Sequence, residues 1–431
     1  MYENRICIDA GIRDLLTGSL LAFVAKVWSA CASFLLSILV ARSLGVADAG
    51  IFFLAYTLLV VFSTIGRGGG DLATVRFVSE CIEKDDIENK NSFYWWSLFR
   101  VLVLSLLLTF LIFFFSAFIS DIFFKNEGGQ KVIERVALSL IPFSLVIFHS
   151  YFFQANKNVL VSNFLLSGAV PSLLLVCAFV FSCRSVLTYF DCLIFVACIL
   201  MMFLLIKSCK EYAPYRRINF NFKAKIERVL LSMFIVSTLS ITNQWSSQII
   251  LGILSNSQSV AYFATAQRAA FLVSFVLVAV NSIAAPKFSA LYSTNDIDGI
   301  GRMMRISSLI MIAFAMPILM LYIFCSEVVM GLFGETYRDA NLVLIILSVG
   351  QMVNVATGSV GYLLQMTGYE KELRFNVLIS TFLLVILNIV LIPKYEAIGA
   401  ACATAFSVSV ANLLSVRSVK KKLGINSLKF F

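Results

Sequence analysis

The sequence predicts an all-α polytopic membrane protein with about twelve transmembrane helices, arranged as two parallel six-helix repeats around a central cavity. The composition is the first reason, because 60% of the residues are apolar and only 13% are charged, whereas a soluble domain carries roughly twice that charge. Apolar stretches of about 20 residues, the length that a helix needs to cross a bilayer, also recur along the whole chain. Finally, one short motif occurs twice, as YFFQANKN from residue 151 and as YLLQMTGY from residue 362.

Apolar runs and the turn residues between them define twelve predicted spans. They are 15–41, 49–66, 92–120, 132–155, 159–182, 186–207, 227–254, 258–286, 303–333, 339–367, 373–393 and 396–417. The first run is too long for the core of a signal peptide, and we expect it to be retained as a helix. Two further segments, 71–90 and 287–305, are predicted to form short amphipathic helices on the inner surface.

Lysine and arginine are concentrated in the segments that lie on one side of this topology. The positive-inside rule therefore places both termini in the cytoplasm. The net charge of +10 is explained by this topology and by anionic lipid headgroups, and nothing in the sequence supports a nucleic-acid partner. The ten cysteines form no CxxC pair and no metal-ligand spacing, so we expect neither a metal nor a cofactor.

The repeated motif ends the fourth predicted span and the tenth. A second similarity, between LGVADAGIFFLAY (44–56) and LSNSQSVAYFATA (254–266), relates the loops that follow the first and seventh spans. The predicted halves are 1–207 and 227–431, joined by a cytoplasmic linker at 208–226 and followed by a basic cytoplasmic tail. Because each half has six spans, the halves are parallel repeats, and transporters of this kind bind substrate between them.

Two cations are predicted at membrane depth, where a charge is costly and usually functional. Lys26 lies near the middle of the first span and Arg268 lies about ten residues into the eighth. No Asp or Glu falls in the central part of a predicted span, so these cations suit a cavity that receives an anion. The structural alternative is that each cation binds helix-end carbonyls or extends to the membrane interface.

Uncharged polar side chains also gather at membrane depth. They are Asn243, Gln244 and Gln248 in the seventh span, Asn281 in the eighth, and Gln351 and Asn354 in the tenth. Such groups either bond neighbouring helices together or bind sugar hydroxyls. The single histidine, His149, suits a hydrogen-bonded packing role. The run IGRGGGD (65–71) lacks the ending of a phosphate loop and is predicted to be a helix break.

Two stretches resemble the polysaccharide flippases, and in particular the O-antigen repeat-unit flippases. The first carries an Arg-x-Leu-Gly turn and a Gly-rich exit, at Arg42, Leu44, Gly45, Gly50, Gly66, Arg76, Phe77 and Glu80. The second carries Thr367, Gly368, Asn388, Pro393, Tyr395, Gly399 and Ala400. The family usually has a glycine where Glu396 stands. The resemblance covers essentially the whole chain and places it in the multidrug/oligosaccharidyl-lipid/polysaccharide exporter superfamily.

The resemblance implies a transporter and not an enzyme. Its expected substrate is an undecaprenyl-diphosphate-linked oligosaccharide, moved across the bacterial inner membrane by alternating access. Lys26, Arg268 and the six amides are the candidate substrate-binding residues, and Arg42, Gly45 and Arg76 are the candidate gating or loop residues. The expected partners are the lipid-linked substrate, membrane lipids, a glycan polymerase and a chain-length protein.

Three other functions compete with this interpretation. A cation-coupled multidrug exporter of the same superfamily would want an acidic residue in a span. A lipid II flippase often has two further helices and more cavity cations. A membrane glycosyltransferase or glycan polymerase usually carries a large outer loop with catalytic side chains, and the longest predicted outer segment here has about a dozen residues.

Overall fold

The computed structural model describes residues 2–125, 129–212 and 220–425, and within these ranges the regular elements are all helical. A π-helical turn, Phe164–Gly168, joins α7 to α8, and a 3-10 helix, Glu335–Ala340, precedes α14. The α-helices are α1 Tyr2–Leu44, α2 Val46–Arg67, α3 Gly70–Glu83, α4 Ile87–Phe114, α5 Ser116–Phe124, α6 Gln130–Ala155, α7 Val159–Asn163, α8 Ala169–Val180, α9 Val186–Glu211, α10 Phe220–Leu254, α11 Ser257–Ser293, α12 Ile297–Phe324, α13 Ser326–Gly331, α14 Asn341–Ala356, α15 Val360–Met366 and α16 Glu370–Leu423.

The predicted number of membrane crossings is confirmed. Ten helical segments in the described part of the chain are long and apolar enough to cross a membrane. Helix α10 is not among these ten, but its 35 residues exceed the length that a bilayer requires, and we count it as one more crossing. Helix α16 has 54 residues and a non-helical residue at Glu396, so its two arms account for two crossings. The chain is thus a multi-pass membrane protein, and its described residues supply the twelve expected spans.

The chain forms two compact units. One consists of residues 24–245, and the other of residues 246–431 together with 1–23. The predicted domain boundaries at 207 and 227 stay a prediction. Residues 213–219 of the predicted linker and 426–431 of the predicted tail lie outside the described residues.

The repeated tyrosine motif forms the same turn twice. At the end of α6 the N–H of Asn158 donates to the carbonyl of Phe153, and after α15 the N–H of Tyr369 donates to the carbonyl of Leu364, both at 2.9 Å. Each turn closes its helix with a left-handed residue, as helix C-termini commonly do. These residues are Lys157, with φ 62°, and Gly368, with φ 80°.

A second pair of turns, about 210 positions apart, repeats in the same way. Asp86 caps α4 by accepting a hydrogen bond from Asn89 N–H at 3.1 Å, and Asp296 caps α12 by accepting one from Gly299 N–H at 2.7 Å. The preceding residues, Asp85 and Asn295, both adopt a positive φ, at 52° and 56°. The similarity of these two capped turns was not expected from the sequence. It supports the six-helix repeat independently of the tyrosine motif.

Substitutions at the left-handed residues of the two tyrosine-motif turns should change the free energy of unfolding by different amounts. Gly368→Ala is expected to lower the free energy of unfolding by about 1 kcal/mol, because its φ is positive while an added Cβ would have no atom within 4 Å. Lys157→Gly should change it by less than about 0.5 kcal/mol, since relief of backbone strain is offset by a more flexible unfolded chain. Thermal melting of the purified variants checks this. Equal losses in both variants would contradict it.

The two predicted surface helices are wrong in part. Residues 70–83 do form a helix, α3, but one face of it is buried, where Phe77 packs with Phe93 and Phe152 in a core cluster of the first unit. Residues 287–305 form no separate helix, because α11 extends to Ser293 and α12 begins at Ile297. The amphipathic pattern of these segments therefore reflects one helix face buried within the protein.

The break in α16 lies at Glu396, where the family resemblance predicts a glycine. Glu396 has φ 46° and ψ −124°, a conformation that costs an ordinary residue free energy and costs glycine little. Its carboxylate accepts a hydrogen bond of 2.6 Å from the hydroxyl of Ser259, near the start of α11. The hydrogen bond between α11 and the α16 break therefore offsets part of the backbone strain at Glu396.

Candidate functional site

A buried ionic network surrounds the helix break between α2 and α3. Gly68 and Gly69 both adopt left-handed conformations there. Across the break, Arg67 Nε lies 2.7 Å from Asp71 Oδ1, and both side chains are more than nine-tenths buried. The guanidinium also donates to Thr64 Oγ1 at 3.1 Å and to Ser63. Each end of the Arg67 guanidinium is thus hydrogen bonded, and the buried pair is neutral as a whole.

Two neighbouring helices hold this break in place. Arg100, near the middle of α4, donates from Nη2 to the Gly68 carbonyl at 2.6 Å, and so satisfies an acceptor that the break leaves free. Helix α10 approaches from another side, where a Cβ added to Gly69 would lie 2.5 Å from Phe234 N and 2.6 Å from Leu230 O. Helix α2 and helix α3 together form one discontinuous element, closely packed at its centre.

The helix break expected at residues 65–71 is confirmed by the left-handed Gly68 and Gly69. The buried ion pair between Arg67 and Asp71 on either side of the break was not expected. The available signal was the pattern RGGGD, in which opposite charges four residues apart flank a glycine run. Ion pairing makes such charges tolerable when they are buried.

His149 makes two hydrogen bonds in the same unit. Its Nδ1–H donates to the Leu145 carbonyl at 2.6 Å, and its Nε2 accepts from the Tyr94 hydroxyl at 3.0 Å. The ring is 1% exposed. Both nitrogens are used by the protein, which fits the hydrogen-bonded packing role expected from the sequence.

A second polar cluster lies within the other unit and joins three helical segments. Asn388 Nδ2 donates to Ser247 Oγ at 3.0 Å, and Ser247 Oγ lies 2.9 Å from Thr404 Oγ1. Asn388 is fully buried, and its Oδ1 accepts no hydrogen bond within the described residues. The sequence had singled out Asn388 only as part of a family motif. The two hydrogen bonds of Ser247 link α10 to both arms of α16.

The predicted substrate-binding residues fall in different environments. Of the five in the unit 246–431, Gln351 and Asn354 come together, with Asn354 Nδ2 donating to Gln351 Oε1 at 3.4 Å. Arg268 is half-buried and donates from Nη1 to the Ala264 carbonyl at 2.8 Å. The other two, Gln248 and Asn281, are buried, at 1% and 3% exposed. The three in the unit 24–245, Lys26, Asn243 and Gln244, are exposed.

The three predicted gating or loop residues lie at turns and on an exposed face. Arg42 is an exposed residue in the last turn of α1. Gly45 has φ 77° and separates α1 from α2. Arg76 is exposed on α3, with its guanidinium carbon 5.9 Å from the centre of the Phe77 ring. Gly45 therefore has a conformational reason for its identity, and both arginines are exposed.

Comparison with known proteins identifies relatives of this chain. The family described as "Polysaccharide biosynthesis protein" matches residues 15–292. "Probable flippase AglR" of Haloferax volcanii is 26% identical over 41% of this chain and 38% of its own length. "Capsular polysaccharide biosynthesis protein CapF" of Staphylococcus aureus is 28% identical over 41% of this chain and 44% of its own length. The chain thus aligns with less than half of the length of these curated relatives.

Solved structures share the fold over nearly the whole chain. A lipid II flippase, MurJ in an inward closed conformation, superposes with a TM-score of 0.74 at 18% identity, covering 93% of this chain and 87% of that one. An inward-facing multidrug resistance transporter of the MATE family superposes with a TM-score of 0.63 at 14% identity, covering 94% and 98%. With the family match extending over more than half of its residues, the chain belongs to the polysaccharide biosynthesis protein family.

Proposed function

We propose that the protein is a flippase that moves an undecaprenyl-diphosphate-linked oligosaccharide, an O-antigen unit or a similar repeat unit, across the bacterial inner membrane. The carrying observation is the family match over residues 15–292. The names of two partial relatives, a flippase and a capsular polysaccharide protein, support the same activity. In this proposal both termini are cytoplasmic, and a glycan polymerase and a chain-length protein act on the product.

Two cations are assigned to the diphosphate. Arg268 has a half-buried guanidinium, and guanidinium groups bind phosphate oxygens in pairs. Lys26 is exposed on α1 and supplies a second charge. The amides of Gln351 and Asn354, and those of Asn243 and Gln244, are assigned to sugar hydroxyls.

The transport cycle is proposed to proceed by alternating access, with Arg42, Gly45 and Arg76 in the moving turns. An anionic substrate that leaves a negative interior gains about 2.3 kcal/mol per charge per 100 mV. Export therefore needs no titrating carboxylate in this chain. The buried Asp71 is neutralised by Arg67 at 2.7 Å, which favours a structural role for it over cation coupling of the kind expected in a multidrug exporter.

Complementation of a host that lacks the gene tests this function. The unmodified chain should restore surface glycan and clear the lipid-linked oligosaccharide from the cytoplasmic face. Arg268→Ala and Lys26→Ala should each reduce transport by roughly tenfold, because each removes a charged bond to the diphosphate. Arg338→Ala is the matched control, since that arginine is exposed and paired with Glu335.

The outcomes of this experiment separate the candidates. Normal transport by the Arg268 and Lys26 variants would refute the diphosphate role while leaving the flippase function intact. Trapped lipid II in place of the oligosaccharide precursor would favour a lipid II flippase. An unchanged lipid pool together with altered sensitivity to cationic drugs would favour a multidrug exporter.

A further inference from the structure

Two cysteines meet at the turn between α8 and α9. Their sulfur atoms, Cys183 Sγ and Cys192 Sγ, lie 3.5 Å apart, and both residues are free thiols in this structure. Because a disulfide bond is about 2.05 Å long, a small approach of the two sulfurs is enough for them to bond. We infer that this pair is a modification site, at which the two thiols are oxidised to a disulfide that closes the α8–α9 turn.

The backbone of Cys183 is held in place by the turn that ends α8. Its N–H donates to the carbonyl of Ala178 at 3.1 Å, and the residue before it, Ser182, has φ 47°. A hydrogen bond of this kind together with a left-handed residue commonly closes a helix. Cys183 is 4% exposed, so its thiol is enclosed by the protein.

The backbone of Cys192 is equally well fixed, because this residue lies in the second turn of α9. That helix begins with a capping box, in which Ser185 Oγ accepts from Thr188 N–H at 3.3 Å and Ser185 N–H donates to Thr188 Oγ1 at 3.2 Å. The neighbouring Asp191 Oδ1 lies 2.7 Å from Arg135 Nε of α6. Both thiols therefore project from well-ordered elements, and their encounter does not depend on a flexible segment.

The surroundings of the pair favour oxidation over metal binding. Structural zinc sites use four protein ligands, and the part of the chain that the structure describes contains no group of three or more His, Cys, Asp or Glu side chains that could hold a metal ion. In the proposed topology, with cytoplasmic termini, the α8–α9 turn lies on the outer side of the membrane, where disulfides persist. The inference rests on that part of the proposed function and is independent of the substrate.

The oxidation requires an oxidant that itself carries a disulfide, either a protein or a small molecule. Cys192 is partly exposed and Cys183 is buried, so Cys192 meets the oxidant first. Its thiolate attacks one sulfur of the oxidant, which forms a mixed disulfide and releases the other sulfur as a thiolate. The Cys183 thiolate then attacks Cys192 Sγ and displaces the oxidant. Two electrons pass to the oxidant, and the two thiol protons end on its sulfurs.

Mass spectrometry of the full-length protein taken from cells tests this inference. Free thiols are first blocked with N-ethylmaleimide, and the protein is then purified and digested with trypsin without a reductant. Because trypsin cleaves after Arg184, the disulfide joins peptide 158–184 to peptide 185–207. The joined peptides are expected from the unmodified chain, and they should be lost when a phosphine reductant is added before digestion.

Each peptide carries a second cysteine, and these two residues provide the matched controls. Cys183→Ala and Cys192→Ala should each abolish the joined peptides, whereas Cys177→Ala and Cys198→Ala should leave them unchanged. Complete alkylation of Cys183 and Cys192 in the unmodified chain, or joined peptides that persist in Cys183→Ala, would overturn the inference.

The same cells separate this inference from the proposed function. Surface glycan that is restored by a chain with fully alkylated cysteines would refute the disulfide alone. A disulfide-linked chain that leaves the oligosaccharide on the cytoplasmic face would refute the flippase function alone.

Discussion

Gly69→Ala is expected to destabilise the protein severely and to abolish transport. The added methyl group would lie 2.5 Å from Phe234 N and 2.6 Å from Leu230 O, which are backbone atoms that cannot turn aside. The residue also has φ 75°, so strain adds to the clash. We expect a loss of about 3 kcal/mol or more, measured as a large fall in melting temperature and in the yield of folded protein.

Gly45→Ala is the matched control for this prediction. Its φ of 77° is almost the same, but an added Cβ would meet no atom within 4 Å. Only backbone strain is then expected, at about 1 kcal/mol. If the two variants lose equal stability, the close approach of α10 to the α2–α3 break is contradicted.

Asp71→Ala is expected to have a comparable effect for an electrostatic reason. The change leaves the Arg67 guanidinium buried without the carboxylate that lies 2.7 Å from it. Removing one member of a buried ion pair typically costs about 3–5 kcal/mol, mostly because the other charge stays uncompensated. The melting temperature should fall sharply, and surface glycan should be lost in cells that carry only this variant.

Two further variants test whether the stability loss in Asp71→Ala comes from an uncompensated buried charge or from the loss of a contact. Arg67→Met combined with Asp71→Ala removes both charges, and we expect it to recover most of the lost stability. Glu80→Ala removes a salt bridge with Lys84 at the surface, which has the same four-residue spacing as the Arg67–Asp71 pair. This change should alter the melting temperature little. A double variant as unstable as Asp71→Ala would show that the charges are not the cause.

The sequence predicted the spans and the repeat well, because both are written in local patterns. Long apolar runs fix the crossings, and the turns at Lys157 and Gly368 share a backbone conformation that their sequences only partly share. A left-handed residue at the end of a helix is determined by neighbouring residues, and it occurs in both halves of the chain. The family resemblance also identified Glu396 as an exception, because a glycine is usual at that position. Its φ of 46° is a conformation that glycine adopts readily.

The site was less predictable, because burial of a polar side chain depends on packing that no single segment encodes. Arg67 and Asp71 follow an apolar run and therefore resemble surface residues, until Arg100 and α10 enclose them. Asn388 resembles any polar residue in a span until its bond to Ser247, 141 residues away, is known.

A reconstituted transport assay tests the central claim most directly. Purified protein in liposomes would be supplied with a polyprenyl-diphosphate oligosaccharide, and the glycan exposed on each face would be measured with an impermeant glycosidase under an imposed membrane potential. We predict that glycan protected inside the vesicles becomes accessible only when the protein is present, with a rate that falls in Arg268→Ala. Accessibility that never differs from that of protein-free liposomes would contradict the flippase function.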